Sequence, residues 1–91
     1  DVFAITTDVP NVAINYGTER EELLHEIDSG SLRQLYDSGE FPDGSMGPKV
    51  KAGINFVNEA DGRKSIITNA KLLRRGVEGR AGTIITRTKG N

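Results

Sequence analysis

The sequence predicts an α/β domain: a mostly parallel sheet with helices flanking its faces. Three observations carry the prediction. Short β-prone runs alternate along the chain with segments of helical apolar spacing. The first run, Val2 to Thr6, is nearly all apolar, as suits a strand covered on both faces in the middle of a parallel sheet. The glycines, 11 of 91 residues, gather in short connections rather than in one low-complexity tract, which points to tight turns. Right-handed crossovers then predict that strands at 2–6, 65–68 and 83–86 run parallel, with ligands at their carboxyl ends. The whole chain, 1–91, is one domain, because a chain this short buries only about 60–65% of its unfolded surface and cannot support two cores.

Val2 to Thr6 begins with no lead-in, and Asp1 stands where an initiator methionine would, which gives the look of an excised or processed piece. Pro10-Asn11 turns the chain into a second extended piece, Val12 to Tyr16, ending at Gly17. From Thr18 to Ile27 the good helix formers hold no single apolar stripe, so irregular or strand structure is expected. Ser31 to Ser38 reads as a helix: Leu32, Leu35 and Tyr36 follow i, i+3, i+4 spacing, Ser29 or Ser31 caps it and Gly39 stops it. The loop Glu40-Phe41-Pro42-Asp43-Gly44 leads to a central helix from about Gly47 to Glu59, with Pro48 in its first turn and Val50, Gly53, Ile54 and Val57 along one side. Beyond Asp61-Gly62 come a strand at Ser65 to Thr68, a short helix carrying Ala70, Leu73 and Val77 between caps at Asn69 and Gly79, and a strand at Thr83 to Thr86.

Composition excludes several functions. Twelve basic side chains against thirteen acidic ones leave no global field to hold nucleic acid or an anionic membrane, so any phosphate must be met locally. No apolar run approaches the ~20 residues that span a bilayer. The absence of cysteine removes disulfides, thiol catalysis and Cys-based zinc sites; cytoplasm is the expected compartment. His25 has no partner at the spacing of a triad or metal site and reads as a surface histidine. Lys71, Arg74, Arg75 and Arg80 lack aromatic neighbours for base stacking and read as a solvated helix face.

The chemistry centres on Gly44-Ser45-Met46-Gly47-Pro48-Lys49 at the mouth of the central helix. Unpaired N–H groups of a first helical turn and the positive end of the helix dipole suit an anion. Gly44 and Gly47 leave room for backbone to approach a ligand, and Lys49 adds a charge suited to phosphate, although a solvated surface lysine is the other reading. The run is not a Walker A loop, since Pro48 precedes the lysine and Val50 follows it. Thr6-Thr7-Asp8 and Thr68-Asn69 lie at strand ends that could share a crevice with this helix. Asp8 could bond a ribose or cap a turn with Thr6 or Thr7. Tyr16 could pack on a base or on the sheet edge, and Met46 could wall a planar ring or staple the helix to the core.

Taken together, Thr7-Asp8-Val9-Pro10-Asn11-Val12-Ala13-Ile14-Asn15-Tyr16-Gly17-Thr18, Gly39-Glu40-Phe41, Gly44-Ser45-Met46-Gly47-Pro48-Lys49-Val50 and Glu78-Gly79-Arg80-Ala81-Gly82-Thr83 resemble carbamate kinase in order and spacing. The resemblance covers nearly the whole chain but only the C-terminal, nucleotide-binding portion of that enzyme. It implies part of a three-layer α/β/α amino acid kinase fold and reversible phosphoryl transfer between ATP and carbamate, giving ADP and carbamoyl phosphate, with Mg2+ escorting the nucleotide and a homodimeric full-length enzyme. By resemblance, Thr7 and Asp8 lie beside the nucleoside, Tyr16 and Met46 wall the adenine, Gly44, Ser45 and Gly47 shape the pocket, and Lys49 contacts phosphate as the catalytic lysine. The family's glycine-rich loops, carbamate pocket and other catalytic lysines have no counterpart in these residues. The chain alone is therefore expected to be catalytically silent, to bind adenine nucleotide at best, and to meet carbamate or carbamoyl phosphate only with the rest of the enzyme. The rival expectation is a non-catalytic nucleotide-binding or regulatory module of the same fold.

Overall fold

The computed structural model describes residues 1–41 and 46–89. In chain order the elements are β1 (Val2–Thr7), β2 (Ala13–Ile14), β3 (Glu22–Leu23), β4 (Glu26–Asp28), α1 (Ser29–Asp37), α2 (Met46–Asn58), β5 (Lys64–Asn69), a 3-10 turn (Ala70–Leu72), α3 (Leu73–Val77) and β6 (Thr83–Thr86). Four strands form one sheet in the order β1-β5-β6-β4, and β2 pairs with β3 in a separate antiparallel ribbon.

Helix periodicity places the layers. Val50, Gly53, Ile54 and Val57 recur at the spacing of one helical face and are all buried. They meet Leu32 of α1, Ile67 of β5 and Ile85 of β6 in one core that also holds Val12 and Phe41. The Ser65 hydroxyl donates to the Gly53 carbonyl at 2.8 Å, and a Cβ on Gly53 would come within 2.8 Å of Ile85 Cδ1. Alternation along β5 sends Ser65 and Ile67 towards α2 and the two residues Ile66 and Thr68 to the other face, where they touch Gly76 of α3. The result is a three-layer arrangement with α1 and α2 on one face and the short α3 on the other.

Two expectations about the sheet are corrected. β1 and β5 run parallel, with Val2 opposite Lys64 and Thr7 opposite Asn69, and β4 is parallel to β6, but β5 and β6 are antiparallel. The chain after α3 turns at Gly79 and Gly82, both at positive φ, and enters β6 opposite Ile67 near the carboxyl end of β5, so the two strands run antiparallel. β1 is also not covered on both faces here: it is the outer strand of the sheet that the described residues form, with Val2, Phe3, Ala4 and Thr6 exposed. An all-apolar run fits either position, and only the pairing, which is non-local, distinguishes them.

The helix caps are partly as expected. Asn69 Oδ1 accepts from the Leu72 N–H at 2.9 Å, and Gly39 and Gly79 take positive φ after α1 and α3. The cap of α1, however, is Asp28 rather than Ser29 or Ser31. Its carboxylate accepts from the Ser31 N–H at 3.0 Å, the Ser31 hydroxyl at 2.7 Å and the Thr88 hydroxyl at 2.5 Å. The Ser29 hydroxyl donates to Asn58 at 2.7 Å and accepts from the Thr88 N–H at 3.1 Å. One carboxylate and its serine neighbour thus join α1, the end of α2 and the segment after β6.

Those hydroxyl and amide donors, Thr88 foremost, hold the Asp28 carboxyl down at about 2 from an ordinary 3.8. Protonation is resisted only in the folded chain, so the stabilisation is complete above about pH 5 and is lost as pH falls towards 2. Asp28→Ala is expected to cost about 1 kcal/mol near neutral pH, with the difference from the unsubstituted chain vanishing in urea melts near pH 2. A second expectation concerns turns. Gly82 has φ +79°, and a Cβ there would lie 2.8 Å from both the Ile67 carbonyl oxygen and Thr68 Cβ, whereas Gly17, also at +79°, has open space. Gly82→Ala should cost more than about 2 kcal/mol and Gly17→Ala about 1 kcal/mol, read as shifts of the urea midpoint.

Candidate functional site

Chain direction decides which ends meet. A short turn joins the end of α2 to the start of β5, so helix and strand run antiparallel and the N-terminus of α2 points to the carboxyl ends of β1 and β5. Contacts along the helix agree: Phe56 near its end stacks on Phe3 near the start of β1, with ring centroids 5.2 Å apart, and Gly53 meets Ser65. Lys49, half-buried, lies one turn before Gly53 in that direction.

The β2–β3 ribbon sits at the same rim. The chain leaving β1 crosses the end of the sheet, pinned where the Val12 N–H donates to Thr83 Oγ1 at 2.9 Å and the Thr83 hydroxyl donates to the Leu24 carbonyl at 2.6 Å. Asn11 Nδ2 donates to the same carbonyl at 2.9 Å. Thr83 begins β6 and lies opposite Ile67, near the carboxyl end of β5, so the crossing runs past that end. The ribbon's turn holds Asn15 at φ 54° and Gly17 at 79°, and Tyr16 between them is 71% exposed. Sheet-edge packing is therefore not its role.

The remaining predicted residues divide. Thr7 shares the α2-facing side of β1 with Phe3 and Ile5, and its hydroxyl donates to Asp8 Oδ1 at 3.3 Å, the local pairing expected of a turn. Met46 packs against the core, as a staple would, and Gly47 is buried in the first turn of α2. Gly44 and Ser45 lie outside the described residues. Thr68 does not face the crevice as expected, being fully buried on the α3 side; Asn69 lies opposite Thr7 at the strand end, and its Oδ1 accepts from the Leu72 N–H as a cap. The reason is strand parity, which sends Thr68 away from Lys49.

Glu40 stands in the sequence only within the Gly39-Glu40-Phe41 motif, yet its Oε2 accepts from the Asn15 N–H at 3.0 Å and so links the ribbon turn to the segment between α1 and α2. His25 and the cluster Lys71, Arg74, Arg75 and Arg80 are all exposed, in keeping with their reading as solvated groups. An open cleft of about 570 Å³ lies at the other end of the sheet, between Asp61-Gly62-Arg63-Lys64 and Thr86-Arg87-Thr88-Lys89, and includes none of the predicted site residues. Its charges are partly answered internally, by Arg87 with Asp61 and Arg63 with Glu59.

No protein-family model matches the chain. It is 45% identical over 83 residues to the carbamate kinase of Pyrococcus furiosus, an alignment covering 91% of this chain and 26% of that protein. A carbamate kinase-like protein of Escherichia coli is 38% identical over 85 residues, which is 93% of this chain and 27% of that protein. Among solved structures, carbamate kinase from Giardia lamblia bound to AMP-PNP superposes with a TM-score of 0.90 at 41% identity, over 97% of this chain and 30% of that one. This chain is homologous to part of the carbamate kinases. It spans about a quarter of the length of the curated relatives it matches.

The sheet with its flanking helices is accordingly that of the carbamate kinases and their amino acid kinase fold. In this carbamate kinase-like stretch the rim that gathers Thr7, the Tyr16 turn and the α2 mouth carries Lys49 together with the carboxylates of Asp8, Glu21 and Glu40, which accept from the Thr7 hydroxyl, the Gly17 N–H and the Asn15 N–H in turn. No three acidic or histidine side chains converge among the described residues. Magnesium, which is usually held by one or two carboxylates together with substrate phosphates, would find no all-protein cage among them. No helix among the described residues is long and apolar enough to cross a membrane.

Proposed function

We propose that this chain forms the nucleotide side of a carbamate kinase-like cleft. In the whole protein the reaction would be reversible phosphoryl transfer between ATP and carbamate, giving ADP and carbamoyl phosphate. The observation that carries the reading is the direction of α2, which turns the Lys49 end of the helix to the rim shared by Thr7 and the Tyr16 turn. Homology to carbamate kinases, one of them solved with AMP-PNP, supplies the ligand class.

On this reading Tyr16 and Met46 offer apolar surface to adenine, Thr7 and Asp8 lie beside the nucleoside, and Gly44, Ser45 and Gly47 shape the nucleotide pocket. Lys49 offsets charge on the β- and γ-phosphates while the phosphoryl group moves, a task of positioning and electrostatics that needs no proton transfer. Magnesium supplies further charge neutralisation when it arrives with the nucleotide. Carbamate recognition needs the rest of the enzyme, which would be a homodimer at full length. The 91-residue chain by itself is therefore a binder without turnover.

Titration of the purified chain with ATP, and separately with adenosine, tests the binding claim. ATP should bind more tightly than adenosine, and Lys49→Ala should weaken ATP by about tenfold, the loss of one charge-assisted contact, while leaving adenosine unchanged. ATP formation from ADP and carbamoyl phosphate should stay at background. Turnover by the chain alone, or equal affinity for ATP and adenosine, would sink the assignment of Lys49 to the phosphates of an incomplete cleft.

A further inference from the structure

We propose that Glu40 is a positioning residue of this cleft, a strut that fixes the Asn15-Tyr16-Gly17 turn against the segment leading into α2. The proposal deepens the nucleotide reading above and rests on it. Its footing is the geometry at both ends of the Glu40 side chain.

At one end the backbone of Glu40 is held firmly. Gly39 turns out of α1 with φ +89°, the Glu40 N–H donates to the Leu35 carbonyl at 3.2 Å, and Phe41 is inserted in the core, 5% exposed. At the other end lies a turn stitched to itself. The Asn15 carbonyl accepts from the Thr18 N–H at 3.1 Å and the Thr18 hydroxyl at 2.7 Å, Asn15 Nδ2 donates to the Arg20 carbonyl at 3.4 Å, and the Gly17 N–H donates to Glu21 Oε1 at 2.9 Å. These bonds make residues 15–21 a unit without tying it to the helices. Glu40 Oε2 supplies that tie, accepting the Asn15 N–H across 25 residues of sequence.

The tie matters because Tyr16 has little else to orient it. Its ring is mostly exposed, so its place is set by the backbone of its own turn, and Asn15 at φ 54° is the residue that gives the turn its shape. A carboxylate accepting that N–H holds the turn before any ligand arrives. The ligand is then spared the cost of ordering it. Loss of the bond lowers the fraction of chains with Tyr16 in place, and apparent affinity falls with that fraction.

The expected signature differs from that of a phosphate contact. Glu40→Ala should weaken adenosine and ATP by the same factor, about three- to tenfold, because the aromatic wall serves the base they share. Glu40→Gln keeps a carbonyl acceptor and should restore most of the loss. In a Tyr16→Ala background Glu40→Ala should have no further effect, which a general loss of stability would not produce. Amide hydrogen exchange reads the strut in the free chain: at Asn15 it should quicken in Glu40→Ala while Val50 and Ile54 stay protected. Unchanged exchange at Asn15 would overturn the strut. Quickened exchange with unchanged affinity for both ligands would overturn its role in binding while leaving the nucleotide reading intact. Failure of the unsubstituted chain to bind either ligand would remove that reading and the proposal with it.

Discussion

Everything at the candidate site depends on how closely α2 lies against the sheet, and Gly53 sets that distance. With no Cβ there, the helix backbone comes near enough for the buried Ser65 hydroxyl to reach the Gly53 carbonyl, and Ile85 fills the space a side chain would take. The bond satisfies a hydroxyl that would be costly to leave unpaired at 0% exposure. It also registers the helix on the sheet: with Gly53 fixed over Ser65 and the short turn into β5 setting the direction, the first turn of α2 lies towards the carboxyl end of β5. Lys49 takes its place from that contact rather than from anything near a phosphate.

The same logic explains why unrelated segments converge on one rim. β1 and β5 end there because they are parallel, and β6 begins there because it is antiparallel to β5. The chain must cross this end to travel from β1 at one edge to β4 at the other, and Thr83 pins it during the crossing. Each element is present for a topological reason, and the cleft results from their meeting. The near-zero net charge leaves no broad basic field, so the helix terminus and Lys49 act only at short range.

What was legible in the sequence follows from the range of each interaction. The stripe Val50, Gly53, Ile54 and Val57 and the spacing of Leu32, Leu35 and Tyr36 are set within two turns of helix, and both helices form where that spacing put them. Asn69 and Gly79 act within a few residues and were also readable. Non-local outcomes were not. The outer position of β1, the reversed direction of β6 and the orientation of Thr68 away from the crevice all depend on which strands pair. Asp28 was hidden among serines that are equally good caps in isolation, and Thr88, 60 residues away, tells them apart. Glu40 offered only the signal of an acid between a turn glycine and a buried aromatic.

β1 links the fold to the completeness of the site. It pairs on one side with β5, and its sequence, Val2–Thr7, has no charge, proline or glycine to discourage pairing on the other. Its last residue, Thr7, is also the strand's contribution to the cleft. A strand added parallel to β1 would bring its own carboxyl end, and the loop that follows, next to Thr7 and Asp8. An antiparallel strand would bring its amino end there instead, with the dipoles and loop chemistry of the opposite polarity. The direction of any strand paired with this edge would decide which backbone groups come to lie beside Thr7. Parallel addition followed by a turn into a helix is the arrangement that would supply N–H groups at that end.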